Sequence, residues 1–363
     1  MRRSTALVTG SSGLIGSALV EFLDRRGWIV HGVDNNMRRA FFGVQGDTSE
    51  NLRRLLGVTR RFEHHALDVR DRDGIATLTR EQRPELVVHC AAQPSHDLAA
   101  ACPFEDFEVN ALSTLSLLEA VRTACPVSTF VLLSTNKVYG DAPNELPLVE
   151  LETRFDYSDA AHRDGIDETC RIDASTHSLF GASKLAADVL TQEYGRYFGL
   201  PTVCFRAGCV TGLHHAGVEQ HGFLAYLSWA VREGIPYRIF GYKGKQVRDN
   251  IHSLDVIRAM ELVIHDAEPE RGSVYNIGGG RANSVSVLEA IARFQAIFRR
   301  PLTTDYVPEP RRGDHICYIT NFARLIADYP DWGGPRIDLD AVFAEFAQLA
   351  GVGESVRARA RRP

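Results

Sequence analysis

Short runs of apolar, largely β-branched residues recur along the first two hundred positions. They fall at Thr5–Thr9, Trp28–Val33, Phe62–Leu67, Leu86–Cys90, Phe130–Ser134 and Thr202–Phe205, with helically spaced apolar positions between them. Strand and helix alternating at this rhythm predict an α/β fold: a doubly wound parallel sheet whose crossover helices cover both faces. After Arg206 the rhythm loosens into Gly- and His-rich turns, then helices over Phe223–Glu233 and Val285–Arg299, which predicts a smaller C-terminal lobe for substrate. The sheet domain is placed at 1–205, with a segment returning to it near 246–268, and the lobe at 206–245 and 269–350. The polar stretch Asp141–Thr176 lacks periodicity, and a loop of that length inside a compact domain usually has a function. Residues 351–363, ending in Arg357-Ala358-Arg359-Ala360-Arg361-Arg362-Pro363, carry no core face and read as a disordered basic tail.

At 363 residues the chain can bury a substantial core. Its 41 basic and 46 acidic residues leave a net charge of −5, which offers no field for nucleic acid or an anionic membrane, so any phosphate binding must be local. The start Met-Arg-Arg is followed by an apolar run too short for a signal segment, and no 18-residue apolar span occurs; a soluble, cytoplasmic protein is expected. Seven scattered cysteines without a Cys-x-x-Cys pair give neither a disulfide framework nor a zinc site. His64-His65 and the set His214, His215 and His221 lack a Cys or acidic partner at ligand spacing, so no metal is expected.

The sharpest local signal is Gly10-Ser11-Ser12-Gly13-Leu14-Ile15-Gly16, which follows the first run and opens a helix whose apolar face continues through Ala18, Leu19 and Leu23. Glycine suits this turn because the backbone must approach a pyrophosphate resting on the helix N-terminus. The second run ends in Asp34-Asn35, where a carboxylate can accept from a ribose 2′-hydroxyl and would repel a 2′-phosphate. This favours NAD over NADP, with Arg38 and Arg39 nearby as the counter-argument. Asp68-Val69 and Ala91-Ala92 follow the third and fourth runs; each pair either walls the cofactor or simply turns the chain.

Together with the glycine trio, the stretches Thr135, Val138-Tyr139-Gly140, Phe180-x-x-x-Lys184 and Arg248-Asp249 make the chain resemble the extended short-chain dehydrogenases/reductases of the nucleotide-sugar epimerase/dehydratase group, over residues 5 to about 345. Further stretches narrow the likeness to a 2-epimerase: Ser134-Thr135-Asn136-Lys137, Glu152-Thr153-Arg154, Asp167-Glu168, His177-Ser178 and Gly244-Lys245-Gln246-Val247-Arg248-Asp249. The resemblance implies a Rossmann-type NAD domain and an enzyme of carbohydrate biosynthesis acting on a CDP- or UDP-hexose through a transient 2-keto sugar. It implies that a Tyr phenolate takes the proton of a sugar hydroxyl while hydride leaves the same carbon for NAD. Thr135 would hydrogen-bond the reacting oxygen, and Lys184 would hold the nicotinamide ribose and a positive charge. Arg248 and Arg311 match positions that grip the diphosphate, a task for which a guanidinium fork is suited. Asn110 matches an asparagine supporting the active-site backbone, and Gln93 and His96, after the fourth strand, would line the sugar pocket. His221 and Gly222 would frame the base or sugar. The helices Asn110–Val121 and Ser183–Phe198 would pair across a homodimer, or within a homotetramer.

Two departures qualify that picture. Where the family carries its catalytic tyrosine this chain has Phe180, and a ring without a hydroxyl can neither accept nor give a proton. The expectation is a chain that binds NAD and sugar nucleotide but turns over very slowly or not at all, since such groups contribute about 10²–10⁴-fold in rate. Phe180 is either a Tyr-to-Phe change that traps a complex or the natural residue of a protein using another base, for which His177 and Tyr139 are candidates; His177 is more simply a packing or hydroxyl-positioning residue. Where related 4,6-dehydratases carry an acid pair after the threonine, this chain has Asn136 and Lys137, which cannot perform the elimination. Lys137 is a surface charge or a contact to substrate or cofactor. A 4-epimerase or dehydrogenase on the same fold, and an NAD-binding sensor without catalysis, are the alternatives.

Overall fold

In a computed structural model, residues 4–266 and 271–348 are described. Seven strands form one parallel sheet: β1 (Thr5–Thr9), β2 (Ile29–Val33), β3 (Phe62–His65), β4 (Leu86–His89), β5 (Thr129–Thr135), β6 (Thr202–Ala207) and β7 (Ser273–Ile277). Their order is β7-β6-β5-β4-β1-β2-β3, so the direction of winding reverses between β1 and β4. Ligands of doubly wound sheets bind at the carboxyl ends of the strands at such a reversal.

The two faces follow from the period-two alternation of strand side chains. Ala6 and Val8 of β1 join a buried cluster with Leu19 and Leu23 of the first helix, Leu14–Arg25, and with Val256 and Met260 of the helix Ser253–His265. Leu7, between them, joins the opposite cluster with Ile75, Leu118, Val121 and Ala187, from the helices Arg72–Gln82, Ser113–Ala124 and Leu179–Phe198. The central strands are thereby apolar on both sides, which explains why they read as continuous apolar runs, while the edge strand β3, Phe62–His65, is only partly buried.

A third cluster builds the lobe from the helices Phe223–Glu233 and Val287–Phe298 and from Val342, Phe343 and Phe346, beside the parallel pair Tyr237–Phe240 and Thr304–Val307. The strand Val247–His252 ties lobe to sheet domain, pairing with Cys209–Thr211, Ser284–Ser286 and Cys317–Tyr318. One assignment changes: Ser273–Ile277, expected within the lobe, is the seventh strand of the main sheet, paired along β6, because all five of its residues are buried. The tail 351–363 lies outside the described residues. Among the described residues no helix is long and apolar enough to cross a membrane.

The stretch Asp141–Thr176, expected to be a functional loop, instead carries a hairpin of Leu148–Glu150 with Phe155–Tyr157. It braces the two parts of the molecule. Arg281 donates to Asp156 at 2.8 Å, Arg154 to Ser284 Oγ at 2.7 Å, and the Asn276 N–H to Glu168 at 2.5 Å. None of its residues lines the two large cavities described below.

Candidate active site

Two clefts meet at the carboxyl ends of β1, β4, β5 and β6. The first, of about 1380 Å³, runs from the glycine loop to Lys184; the second, of about 1300 Å³, runs from Thr135 into the lobe. Thr135, Phe180, His215 and His221 belong to the walls of both, so position 180 stands at the junction.

The glycine loop shapes the first cleft by leaving out side chains. A Cβ on Gly16 would lie 2.1 Å from the Gly10 carbonyl oxygen, and one on Gly10, whose φ is +65°, would lie 2.8 Å from Ala91 N. The turn can therefore hold neither, and the N-terminal residues Gly13, Leu14 and Ile15 of the first helix face open space suited to a pyrophosphate. Asp34 accepts the Ser12 N–H at 2.9 Å and the Asn36 N–H at 2.8 Å, which fixes a carboxylate with lone pairs to spare on the cleft wall. Asn35, Val69, Ala91 and Ala92 line the same cleft. Of the two arginines that argued for a 2′-phosphate, Arg39 pairs with Asp47 at 3.1 Å, and Arg38, on the cleft wall, donates to the Ala216 carbonyl at 2.6 Å. The residues present fit a dinucleotide without that phosphate.

Asp68, expected on the cofactor wall, does not line the cleft. Its carboxylate is taken by Arg70 at 2.8 Å and by Asn35 at 3.2 Å.

At the junction, the helix Leu179–Phe198 starts on the Ser178 hydroxyl, which accepts the Gly181 N–H at 3.0 Å. Lys184 lies one turn beyond Phe180, and its Nζ donates to the Leu133 carbonyl at 2.8 Å. Burial pulls its ammonium down to about 8, against the opposing pull of Asp188. Thr135 ends β5, and its hydroxyl accepts the Lys137 N–H at 3.3 Å. Phe180 is 6% exposed, and its ring meets the His96 imidazole edge to face at a centroid distance of 5.0 Å. His96 Nδ1 lies 2.6 Å from Ser178 Oγ.

The second cleft is lined by His96, Asn136, Lys137, Arg248 and Arg311 among the expected residues, and by Asp314. Lys137 Nζ donates to the Gly313 carbonyl at 2.9 Å, and Arg248 donates to Asp314 at 3.2 Å. Burial lowers the Lys137 ammonium to about 8. Burial alone would raise Asp314, but the Arg248 and Lys137 cations hold it below the usual carboxylate range. Arg311 lies over the Phe240 ring at 4.1 Å and donates to the Glu219 carbonyl at 3.0 Å. With the Arg238–Glu219 pair also on its wall, the cleft carries four cations against two carboxylates, an excess of positive charge suited to an anionic ligand such as a diphosphate.

Three expected site residues stand behind the site rather than in it. Asn110 accepts the Gln93 N–H at 2.9 Å and donates to the Gln93 carbonyl, Asp106 and Ser183, tying the loop after β4 to the helix of Lys184. It sits in a wide π-helical turn, Glu108–Leu112, which accommodates that inward amide. Gln93 bonds to Asp106 at 2.7 Å and to the Ser95 carbonyl at 2.8 Å, and is 1% exposed. His177 has a backbone carbonyl at each ring nitrogen, Ser175 at 3.1 Å and Val138 at 2.8 Å, and lines neither cleft. Tyr139, the other candidate base, is fully buried on Asn276 and Arg206. Neither can replace a phenol at position 180.

Reading the sequence missed Asp314 as a counter-ion and Arg38 as a bridge from the cofactor side to the lobe loop carrying His215 and His221. An acid two residues after a basic pair was the available signal for the first; the second depends on a contact between residues far apart in the chain. His31, Glu63 and His65 also come together, with ligand atoms within 4.8 Å, where β2 and β3 pair. The two imidazoles are hydrogen-bonded at 3.1 Å and border neither cleft.

Comparison with known proteins agrees with this layout. The chain is 34% identical over 288 residues to a CDP-paratose 2-epimerase of Salmonella typhi, covering 78% of this chain and 81% of that protein. A UDP-glucose 4-epimerase of Thermotoga maritima, solved with UDP-glucose, superimposes with a TM-score of 0.76 at 25% identity, covering 95% of this chain and 97% of that one. A UDP-glucose 4-epimerase of Thermus thermophilus, solved with NAD, gives 0.73 at 27% identity, covering 94% and 98%. The sequence profile of one family spans residues 6–278, from β1 to just past β7, taking in the dinucleotide cleft and most of the second but not Arg311 and Asp314; the chain belongs to the NAD dependent epimerase/dehydratase family.

Proposed function

We propose that this chain is a cytoplasmic, NAD-dependent epimerase that inverts C2 of a CDP-linked hexose through a transient 2-keto sugar, at a rate limited by the missing phenol at position 180. The observation that carries this reading is the shared wall: Thr135 and Phe180 stand where the dinucleotide cleft opens into the cationic cleft. Bound NAD supplies a reversible hydride acceptor. The glycine loop and Asp34 hold the dinucleotide, Lys184 its nicotinamide end, and the Thr135 hydroxyl orients the sugar oxygen. Lys137, Arg248 and Arg311 take the diphosphate. The preference for C2 and for cytidine rests on the likeness to the Salmonella typhi protein. Asn136 and Lys137, at the places of a dehydratase's acids, argue against loss of water. A UDP-hexose 4-epimerase is the second reading, supported by the solved relatives.

The test is turnover of CDP- and UDP-hexoses in deuterated water with mass-resolved analysis of each sugar carbon, on this chain and on Phe180→Tyr. The expected result is inversion at C2, at least about tenfold faster with Tyr, because a positioned acid/base group contributes about 10²–10⁴-fold. Inversion at C4 would move the chain to the second reading. An inert Phe180→Tyr protein that still binds NAD tightly would make it a sensor.

A further inference from the structure

A chain that has lost its phenol but kept the rest of the site invites the question of where the sugar's proton goes. We propose that His96 carries it: the imidazole that packs on Phe180 is the catalytic acid/base of this protein. This rests on the epimerase reading above and adds a residue to it.

Four observations converge. The His96 ring packs on the Phe180 ring, edge to face at 5.0 Å, and Phe180 stands at the junction of the two clefts. It lines the cationic cleft beside Thr135. Its Nδ1 sits 2.6 Å from Ser178 Oγ, and no hydrogen bond joins Nε2 to any of the described residues. With the Nδ1 proton donated to Ser178, whose hydroxyl oxygen has a lone pair left after accepting Gly181 N–H, Nε2 keeps its own lone pair free. Lastly, Gly313, φ +79°, closes over the same edge, where a Cβ would lie 2.7 Å from Nδ1 and 2.8 Å from Cε1. The ring is thus held at its Nδ1 edge by Ser178 and Gly313 and against the Phe180 ring, with one nitrogen unclaimed.

Most other titratable groups near the junction are bonded within the protein, while His215 and His221 also wall both clefts, with His221 Nδ1 3.4 Å from Arg38. His177 and Tyr139 are bonded within the protein, as described, and His315 is buried with Nε2 on the Gly140 carbonyl at 2.8 Å. Lys137 is held on Gly313 and Asp314. The step balances simply. The sugar O–H bond would break and its proton form an N–H bond on Nε2, giving imidazolium, and bound NAD⁺ would supply the acceptor for the carbinol hydrogen and its electron pair. Return of both restores the carbinol.

The charges around His96 make this base responsive to substrate. Burial lowers the imidazole to about 3, and the Lys137, Arg311 and Arg248 cations push the same way against Asp314. His221 and His315 also face it. An arriving diphosphate neutralises those cations and so raises the histidine toward the range where it can take and return a proton.

The test uses the full chain and two readouts. Histidine-labelled protein is titrated by NMR with and without CDP, or UDP, as the diphosphate probe, with His96→Asn assigning the resonance. The His96 pKa is expected to rise by about one unit or more on diphosphate binding. Turnover of the unaltered chain is expected to fall about 10²-fold or more in His96→Asn, and by less than about tenfold when the same change is made in Phe180→Tyr, which has its own base. Undiminished turnover in His96→Asn, or a pKa unmoved by bound diphosphate, overturns the assignment to His96 alone. No epimerisation by Phe180→Tyr itself overturns the epimerase reading and this inference with it.

Discussion

Position 137 shows how a single side chain can be set by its neighbours to sense the medium. Lys137 is buried, donates to the Gly313 carbonyl and lies 3.8 Å from Asp314, and desolvation brings its ammonium to about 8. It is therefore a cation below that pH and neutral above it. Affinity for a nucleoside diphosphate is expected to be level at pH 6–7 and to fall as pH rises through about 8, with Lys137→Met binding more weakly and losing the inflection; calorimetric titration with CDP across this range checks it. Lys184 carries a comparable shift but lines the cofactor cleft, so its titration would appear in NAD affinity instead. Much of this chemistry was legible from single residues. Gly10, Gly16, Asp34, Thr135, Phe180 and Lys184 act through local turn and helix geometry, which spacing encodes. Gln93 and Asp68 were placed in the site because they follow strand ends, and Asn110 and His177 through the family resemblance, which gave Asn110 the supporting role its bonds to Gln93 and Ser183 show. Their hydrogen bonds engage them away from both clefts, and those of Asn110 form only where the loop after β4 meets the helix Leu179–Phe198.

At the scale of elements, the site depends on how firmly that helix is held against β5 and β6. Asp188, one turn past Lys184, is fully buried; it pairs with Arg206 of β6 at 2.8 Å and accepts from Ser134 of β5 at 2.5 Å. Arg206 in turn donates to Tyr139 at 3.2 Å. A charge removed from one side of such a pair leaves the other uncompensated in the interior, which costs about 3–5 kcal/mol. Asp188→Asn is expected to lower stability by that amount in denaturant unfolding, while Asp188→Asn with Arg206→Met recovers part of it; equal stability of the single variant and the unaltered chain would show that water reaches the pair. Element types along the first two hundred residues were legible because the central strands are apolar on both faces. The seventh strand was not, since Ser273–Ile277 mixes Ser, Tyr and Asn into a buried edge and follows the sixth only after the lobe has intervened. The hairpin within Asp141–Thr176 escaped notice for a related reason: its bonds run to Lys245, Arg281 and Cys317, partners far along the chain.

For the whole molecule, the outer surface of the sheet domain poses the question of assembly. The helices 103–124 and Leu179–Phe198 pack side by side, and they leave exposed Phe104 at 84%, Phe107 at 51%, Leu112 at 48%, Leu179 at 51% and Phe198 at 49%. A monomer rarely keeps so many large apolar side chains in neighbouring elements, and a stable dimer needs about 1,200–2,000 Å² of buried surface. Two antiparallel copies of this helix pair would bury those side chains against one another, and the same helices hold Asn110, Phe180 and Lys184, so the interface would brace the site from outside. The chain is expected to sediment at twice its 40.3 kDa mass. Phe107→Arg with Leu112→Arg should give a monomer that keeps its fold but loses NAD affinity, because the π-helical turn carrying Asn110 is no longer clamped. Sedimentation of the unaltered protein as a monomer at micromolar concentration would remove this interface, and a monomeric variant with unchanged NAD binding would separate assembly from the site.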